Sequence, residues 1–142
     1  MDKGILLCLI SQPDCPAVLI TAVHKPSDFL QAAIVRNLSG RPLSGFRLGW
    51  ALTSISRRLE LRLGPLVKLA EPIEPGRICS VPAQGISSDD VRAGAILVSF
   101  FVARIFLVGE KPWKADLGEI KKRVQSVTSY LKGHVTALSL HA

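Results

Sequence analysis

The chain is poor in the residues that most catalysis needs. Its 142 residues include three histidines and three cysteines. Cys8, Cys15 and Cys79 show neither the Cys-x-x-Cys nor the Cys/His spacing of a zinc site. No Gly-x-Ser-x-Gly, His-Glu-x-x-His or glycine-rich phosphate loop occurs. The sequence therefore points to no catalytic residue, no metal and no cofactor. A small hydrolase would have to draw on His24 with Cys79, or on Asp89-Asp90, and the second pair reads more simply as a helix start within Ser88-Asp89-Asp90-Val91.

A membrane-spanning run is also lacking, though narrowly. Gly94 to Gly109 is sixteen residues long with only Ser99 and Arg104 polar. A spanning helix needs about 17–25 residues, and an arginine near its centre costs about 2.5–3.5 kcal/mol. Val98, Phe100, Phe101, Val102, Ile105, Phe106 and Val108 are β-branched or aromatic, which favours a strand buried on both faces. Such a strand would approach about 50 Å, so a bend or bulge is expected near Ser99 or Ala103. A membrane-associated protein held by this run is the alternative.

What is present is apolar and basic. The composition is 48% hydrophobic and 20% charged, with a net charge of +7, that of a folding chain and not a disordered one. A chain of 142 residues forms one domain of ordinary size. Residues 1–16 read as a leader or an N-terminal tail. The apolar run Gly4 to Ile10 follows Lys3, but no small-x-small cleavage site comes after it. A first strand fits the same residues.

Short strands then follow one another. Ala17 to His24 and Leu30 to Leu38 are β-rich, and Asn37-Leu38-Ser39-Gly40-Arg41-Pro42 is a hairpin corner dense in turn formers. From Gly45 to Ser54, Phe46, Leu48, Trp50 and Leu52 alternate with Arg47, Gly49, Ala51 and Thr53. From Arg57 to Leu63, Leu59, Leu61 and Leu63 face inward while Arg58, Glu60 and Arg62 face water. Gly64-Pro65 breaks the chain, Val67 to Ala70 is a short strand at most, and Glu71 to Gly76 is a turn. Arg77 to Ala83 resumes as a strand. About seven strands in this order predict an all-β, antiparallel sandwich over residues 17–112.

The period changes after Trp113, which is expected to plug the sandwich end. Asp116 caps a helix with Glu119 three residues on, and Leu117, Ile120, Val124, Val127 and Leu131 form one stripe of a C-terminal amphipathic helix within 113–133. Gly133 ends it, and 134–142 is a tail. The stripe must be buried against its own sandwich, against a second copy in a homodimer, or on an anionic membrane.

At Val35-Arg36-Asn37-Leu38-Ser39-Gly40-Arg41-Pro42-Leu43-Ser44-Gly45-Phe46 the sequence resembles bacterial immunoglobulin-like β-sandwich domains of the fibronectin-III and FxLYD kind, which show a strand ending in Asn-x-Ser/Thr-Gly, a corner and an alternating strand. Glu71-Pro72-Ile73-Glu74-Pro75-Gly76 is similar to their entry into the far sheet. The match covers about 34–83, and the Leu-Tyr-Asp element is replaced by Leu48-Gly49-Trp50. The resemblance implies a non-enzymatic, usually exported or periplasmic module whose partner is another protein. In an exported chain Cys15 and Cys79 can form one disulfide; otherwise Cys79 is a small buried apolar residue.

The basic residues give a candidate face. Six arginines against one acid between Arg36 and Arg62 leave a local charge of +5, with Arg36, Arg47, Arg57, Arg58 and Arg62 as the binding candidates. Single-stranded nucleic acid would need aromatic rings between them, and Phe46 and Trp50 are instead placed on the core face, which argues against that partner.

Overall fold

The computed structural model describes residues 6–23, 32–54, 59–82 and 95–127. They form two packed sheets and one C-terminal helix. Eight strands are described: β1 (Leu6–Leu9), β2 (Ala17–Val23), β3 (Ala32–Asn37), β4 (Leu43–Ser54), β5 (Leu59–Ile73), β6 (Ile78–Pro82), β7 (Ala95–Leu107) and β8 (Trp113–Lys114). Sheet A runs β1-β7-β4-β5 with β8 also on β7, and sheet B runs β2-β3-β6. All pairs are antiparallel except β1 with β7. Helix α1 occupies 117–127 of the described residues.

The long apolar run is thus β7, a strand flanked by neighbours on both sides, and not a membrane helix. No helix among the described residues is long and apolar enough to cross a membrane. Its two faces are buried for different reasons. Val98, Phe100, Val102, Ile105 and Leu107 meet Phe46, Leu48, Trp50 and Leu52 of β4 in the core between the sheets, closed from sheet B by Ala17, Leu19 and Val35. Phe101 and Ala103 point the other way, into a second core with Ile10, Ala51, Ala115, Ile120 and Val124. Fully burying side chains of this size contributes about 1.5–3 kcal/mol each, which is why α1 lies against the sheet.

Parity requires the expected bulge. Val102 and Ile105 share one core although three residues apart, and a regular strand would put them on opposite faces. The register passes from Leu48 opposite Val102 to Arg47 opposite Arg104, leaving Ala103 as the extra residue.

Three readings from the sequence need correction. The Asn37–Pro42 corner is not a hairpin, because β3 belongs to sheet B and β4 to sheet A. It is an arch, and Asn37 holds it. The buried Asn37 Nδ2 donates to the carbonyls of Arg41 and Ile73, and its Oδ1 accepts from the Ser39 N–H and hydroxyl. Secondly, Gly64-Pro65 does not end a strand. β5 continues through it to Ile73, with register irregularities there and again after Lys68. β5 is an edge strand of the path, where a proline forfeits no ladder bond on its open side. Thirdly, Leu59 and Leu61 face α1 and not the sandwich interior, while Leu63 is exposed. Glu60 and Arg62 lie on the interior-facing side, opposite Leu52 and Trp50.

The N-terminal segment takes part in the fold. β1 pairs with Leu97 to Phe100, the Ile10 N–H donates to the Phe100 carbonyl, and the Gln12 side-chain amide bonds both backbone groups of Val102. The Ala115 N–H then donates to Ala103, and β8 pairs with Arg104 and Ile105. One edge of β7 is therefore closed by pieces from before β2 and from after β7 itself.

Candidate binding surface

The five arginines singled out in the sequence do not form one face. Arg36 is exposed on sheet B, in register with the exposed Val18 and Ile78. Arg62 sits on the inward side of β5 and pairs with Glu60 at 3.1 Å. Arg57 and Arg58 lie outside the described residues, as do His24, Asp89-Asp90, His134, His141 and Leu131. Arg41 pairs with Glu110 at 2.8 Å across exposed ends of the sandwich. Of the three that are described, only Arg47 stands on the outer face of sheet A.

There it meets two cations that the sequence reading did not select. Arg47 is the register partner of Arg104, and Arg104 of Lys114, so β4, β7 and β8 present three positive side chains in one row. The bulge makes this possible. Strict alternation from Val102 would turn Arg104 into the core, and the extra residue Ala103 turns it out. The available signal was Arg104 itself, a charge inside an apolar strand that has to reach a surface.

The two guanidinium groups are held by different means. Arg47 Nε donates to the Gly64 carbonyl at 2.7 Å, drawn to the irregular part of β5. The Arg104 guanidinium lies over the Phe106 ring, 5.1 Å from its centre, while its Nε is enclosed without a hydrogen bond. Among the described residues no carboxylate pairs with Arg47, Arg104 or Lys114. The acids nearest in sequence are engaged elsewhere. Asp116 Oδ1 accepts from the Gly118 and Glu119 N–H groups at the start of α1, and Glu119 lies 4.0 Å from Arg123. Like charges directly opposite on neighbouring strands destabilise a sheet. The row is an unneutralised concentration of positive charge on a rigid support.

The helix stripe is used inside the chain. Ile120 and Val124 are buried in the second core, and Leu117 and Val127 pack against it. Lys121 and Lys122 face outward.

Cys8, Cys15 and Cys79 are free thiols. The two cysteines of the disulfide allowed to an exported chain lie before β2 and on β6, with β3 between those strands, and are not joined. Burial pushes the Cys15 thiol up to about 11 and raises Cys8 as well. Both stay protonated at neutral pH, the form that is a poor nucleophile. No group of three or more potential metal-ligating side chains occurs among the described residues.

The chain matches no protein-family model, no curated protein and no solved structure. The candidate surface is therefore read from its own geometry.

Proposed function

We propose that the chain is a non-enzymatic interaction module, an immunoglobulin-like sandwich that binds another protein through the outer face of sheet A. The strand order supports the architecture. Taking β2, β3 and β6 as strands A, B and E, and β4, β7 and β8 as C, F and G, the neighbours are A-B-E in one sheet and C-F-G in the other, with β5 as C′. Here G is reduced to two residues and β1 with Gln12 completes that edge of F.

The observation that carries the binding reading is the row Arg47, Arg104 and Lys114, aligned across three strands without an acidic partner among the described residues. Complementarity then calls for an acidic partner segment. A protein fits better than a single-stranded nucleic acid, since Phe46 and Trp50 are core residues and the Phe106 face is taken by Arg104, so that these three rings are not offered beside the row for a base to stack on.

Site-specific photocrosslinking in the source cells tests the reading. A photoreactive residue in place of Lys114 should form a discrete protein adduct, and one in place of Arg77, on the β5–β6 turn, should not. Equal adducts from both positions, or none from position 114, would remove this face as the binding surface.

A further inference from the structure

We infer that the row Arg47, Arg104 and Lys114 takes a phosphoryl group, presented as a phosphorylated side chain of the partner. This rests on the protein-binding reading above and names the chemistry of its contact. The first argument is stoichiometric. Paired residues on neighbouring antiparallel strands stand about 4.5–5.5 Å apart, so the three side chains start within about 10 Å of each other. A carboxylate brings one charge and two oxygens to such a row, which suits one guanidinium fork. A phosphate monoester brings about −1.5 to −2 and three terminal oxygens, a match for donors arriving from three strands.

The second argument is preorganisation. Arg47 is tied through Nε to Gly64, which uses one of its five N–H donors and leaves those of the two terminal nitrogens for a ligand. Arg104 is held by its face against Phe106, and a stacked guanidinium keeps its in-plane donors available. Lys114 is exposed and follows Trp113, which is packed against both cores, so the ammonium rises from a fixed base. Two planar forks and one mobile point charge are the donor set that a tetrahedral oxyanion requires. The shortness of the row argues for a single group. A polymer backbone would call for a longer track than three adjacent strands.

The third argument is the cost the fold carries without a ligand. Three cations side by side repel one another, and the enclosed Arg104 Nε makes no hydrogen bond. The bulge at Ala103 turns this arginine outward to join the other two. A bound dianion would relieve the repulsion.

The test uses the full chain and fluorescently labelled peptides of one sequence with serine, phosphoserine or glutamate at the centre, read by anisotropy at fixed salt. The phosphoserine peptide should bind at least tenfold more tightly than the other two. Lys114→Gln, at an exposed position, should weaken it about tenfold with an unchanged melting midpoint, as should Arg104→Gln if it folds, while Arg77→Gln leaves it unaltered. Equal binding of the phosphoserine and glutamate peptides would overturn the phosphoryl assignment and leave the acidic-partner reading standing. If inorganic phosphate competes at the same concentration as the unlabelled phosphopeptide, the site serves a free anion and the assignment to a partner side chain is wrong. Failure of all three peptides together with absent crosslinks at position 114 would remove both readings.

Discussion

Gln12 and Val102, ninety residues apart, bond as two strand residues would: Gln12 Nε2 donates to the Val102 carbonyl at 2.8 Å, and the Val102 N–H donates to Gln12 Oε1 at 2.7 Å. A side-chain amide here substitutes for a missing piece of backbone between β1 and β8. Gln12→Ala leaves a backbone donor and acceptor on β7 without these partners, and each such group costs about 1–3 kcal/mol when buried. Chemical denaturation should show a loss of about 2 kcal/mol; a midpoint equal to that of the parent would mean that water replaces the amide fully.

Asn37 is the second single-residue lock. Its amide makes four hydrogen bonds, and its backbone N–H and carbonyl also pair, with the Arg77 carbonyl and the Gly76 N–H. Gly76, at φ 78°, takes a left-handed conformation that suits glycine at that turn. Asn37→Ala should cost about 3 kcal/mol, since it takes the side-chain donor from the buried Ile73 carbonyl, one of two side-chain donors from the Arg41 carbonyl, and the acceptor from the Ser39 N–H. Asn37→Asp should be worse at neutral pH, because a carboxylate would face the Arg41 and Ile73 carbonyls. Equal stability of the two variants at pH 7 would contradict this account.

Gly49 makes room for an aromatic ring. A Cβ built there would run into the Phe101 ring. Gly49→Ala should therefore destabilise by about 1–3 kcal/mol, the range for overpacked sites. Combining it with Phe101→Leu should recover part of the loss, and a strictly additive double variant would show that the ring is not the obstacle.

The raised Cys15 pKa gives a dependence on alkaline pH. A thiol near 9 in the unfolded chain and about 11 in the fold favours folding equally at all pH below 9. As pH rises from 9 to 11 the unfolded state ionises first, so stability falls across that window. Cys15→Ala should flatten the decline, measured as the denaturation midpoint against pH, and an unchanged slope would assign it to other groups.

Trp113 touches both cores from β8. Trp113→Ala should lower stability by about 3 kcal/mol, as other large truncations do. An unaltered melting temperature would show that the ring is only a lid at the sheet edge.

Much of this architecture follows from local pattern. β7 is visible as a β-branched and aromatic run too short and too charged for a membrane, β4 as clean alternation, and α1 as an Asp cap followed by a stripe. The errors arise where local pattern carries no information about the next partner. Turn formers at Asn37–Pro42 state that the chain reverses, not whether it stays in its sheet. Gly64-Pro65 ends a strand in the interior of a sheet but not in the open edge of β5. Alternation sorts Leu59 and Leu61 from Glu60 and Arg62 correctly, yet the side buried is decided by where α1 lies. The cation row was invisible for a related reason. Arg47 lies far along the chain from Arg104 and Lys114, and only the bulge at Ala103 brings Arg104 into line with the other two.

The closure of β7 by segments that precede and follow it also sets a timetable for biosynthesis. β1 and Gln12 emerge early, but their partner strand follows ninety residues later. At about 5–20 residues per second the amino end waits about 5–20 seconds before it can pair. Strands β2 to β6 can begin to pair during that delay, but the core between the sheets closes only with β7, and the long edge of β7 is sealed only when Trp113 and Lys114 have also left the ribosome. A stalled or truncated chain would expose that edge, which belongs to a strand buried on both faces, to its neighbours on the polysome.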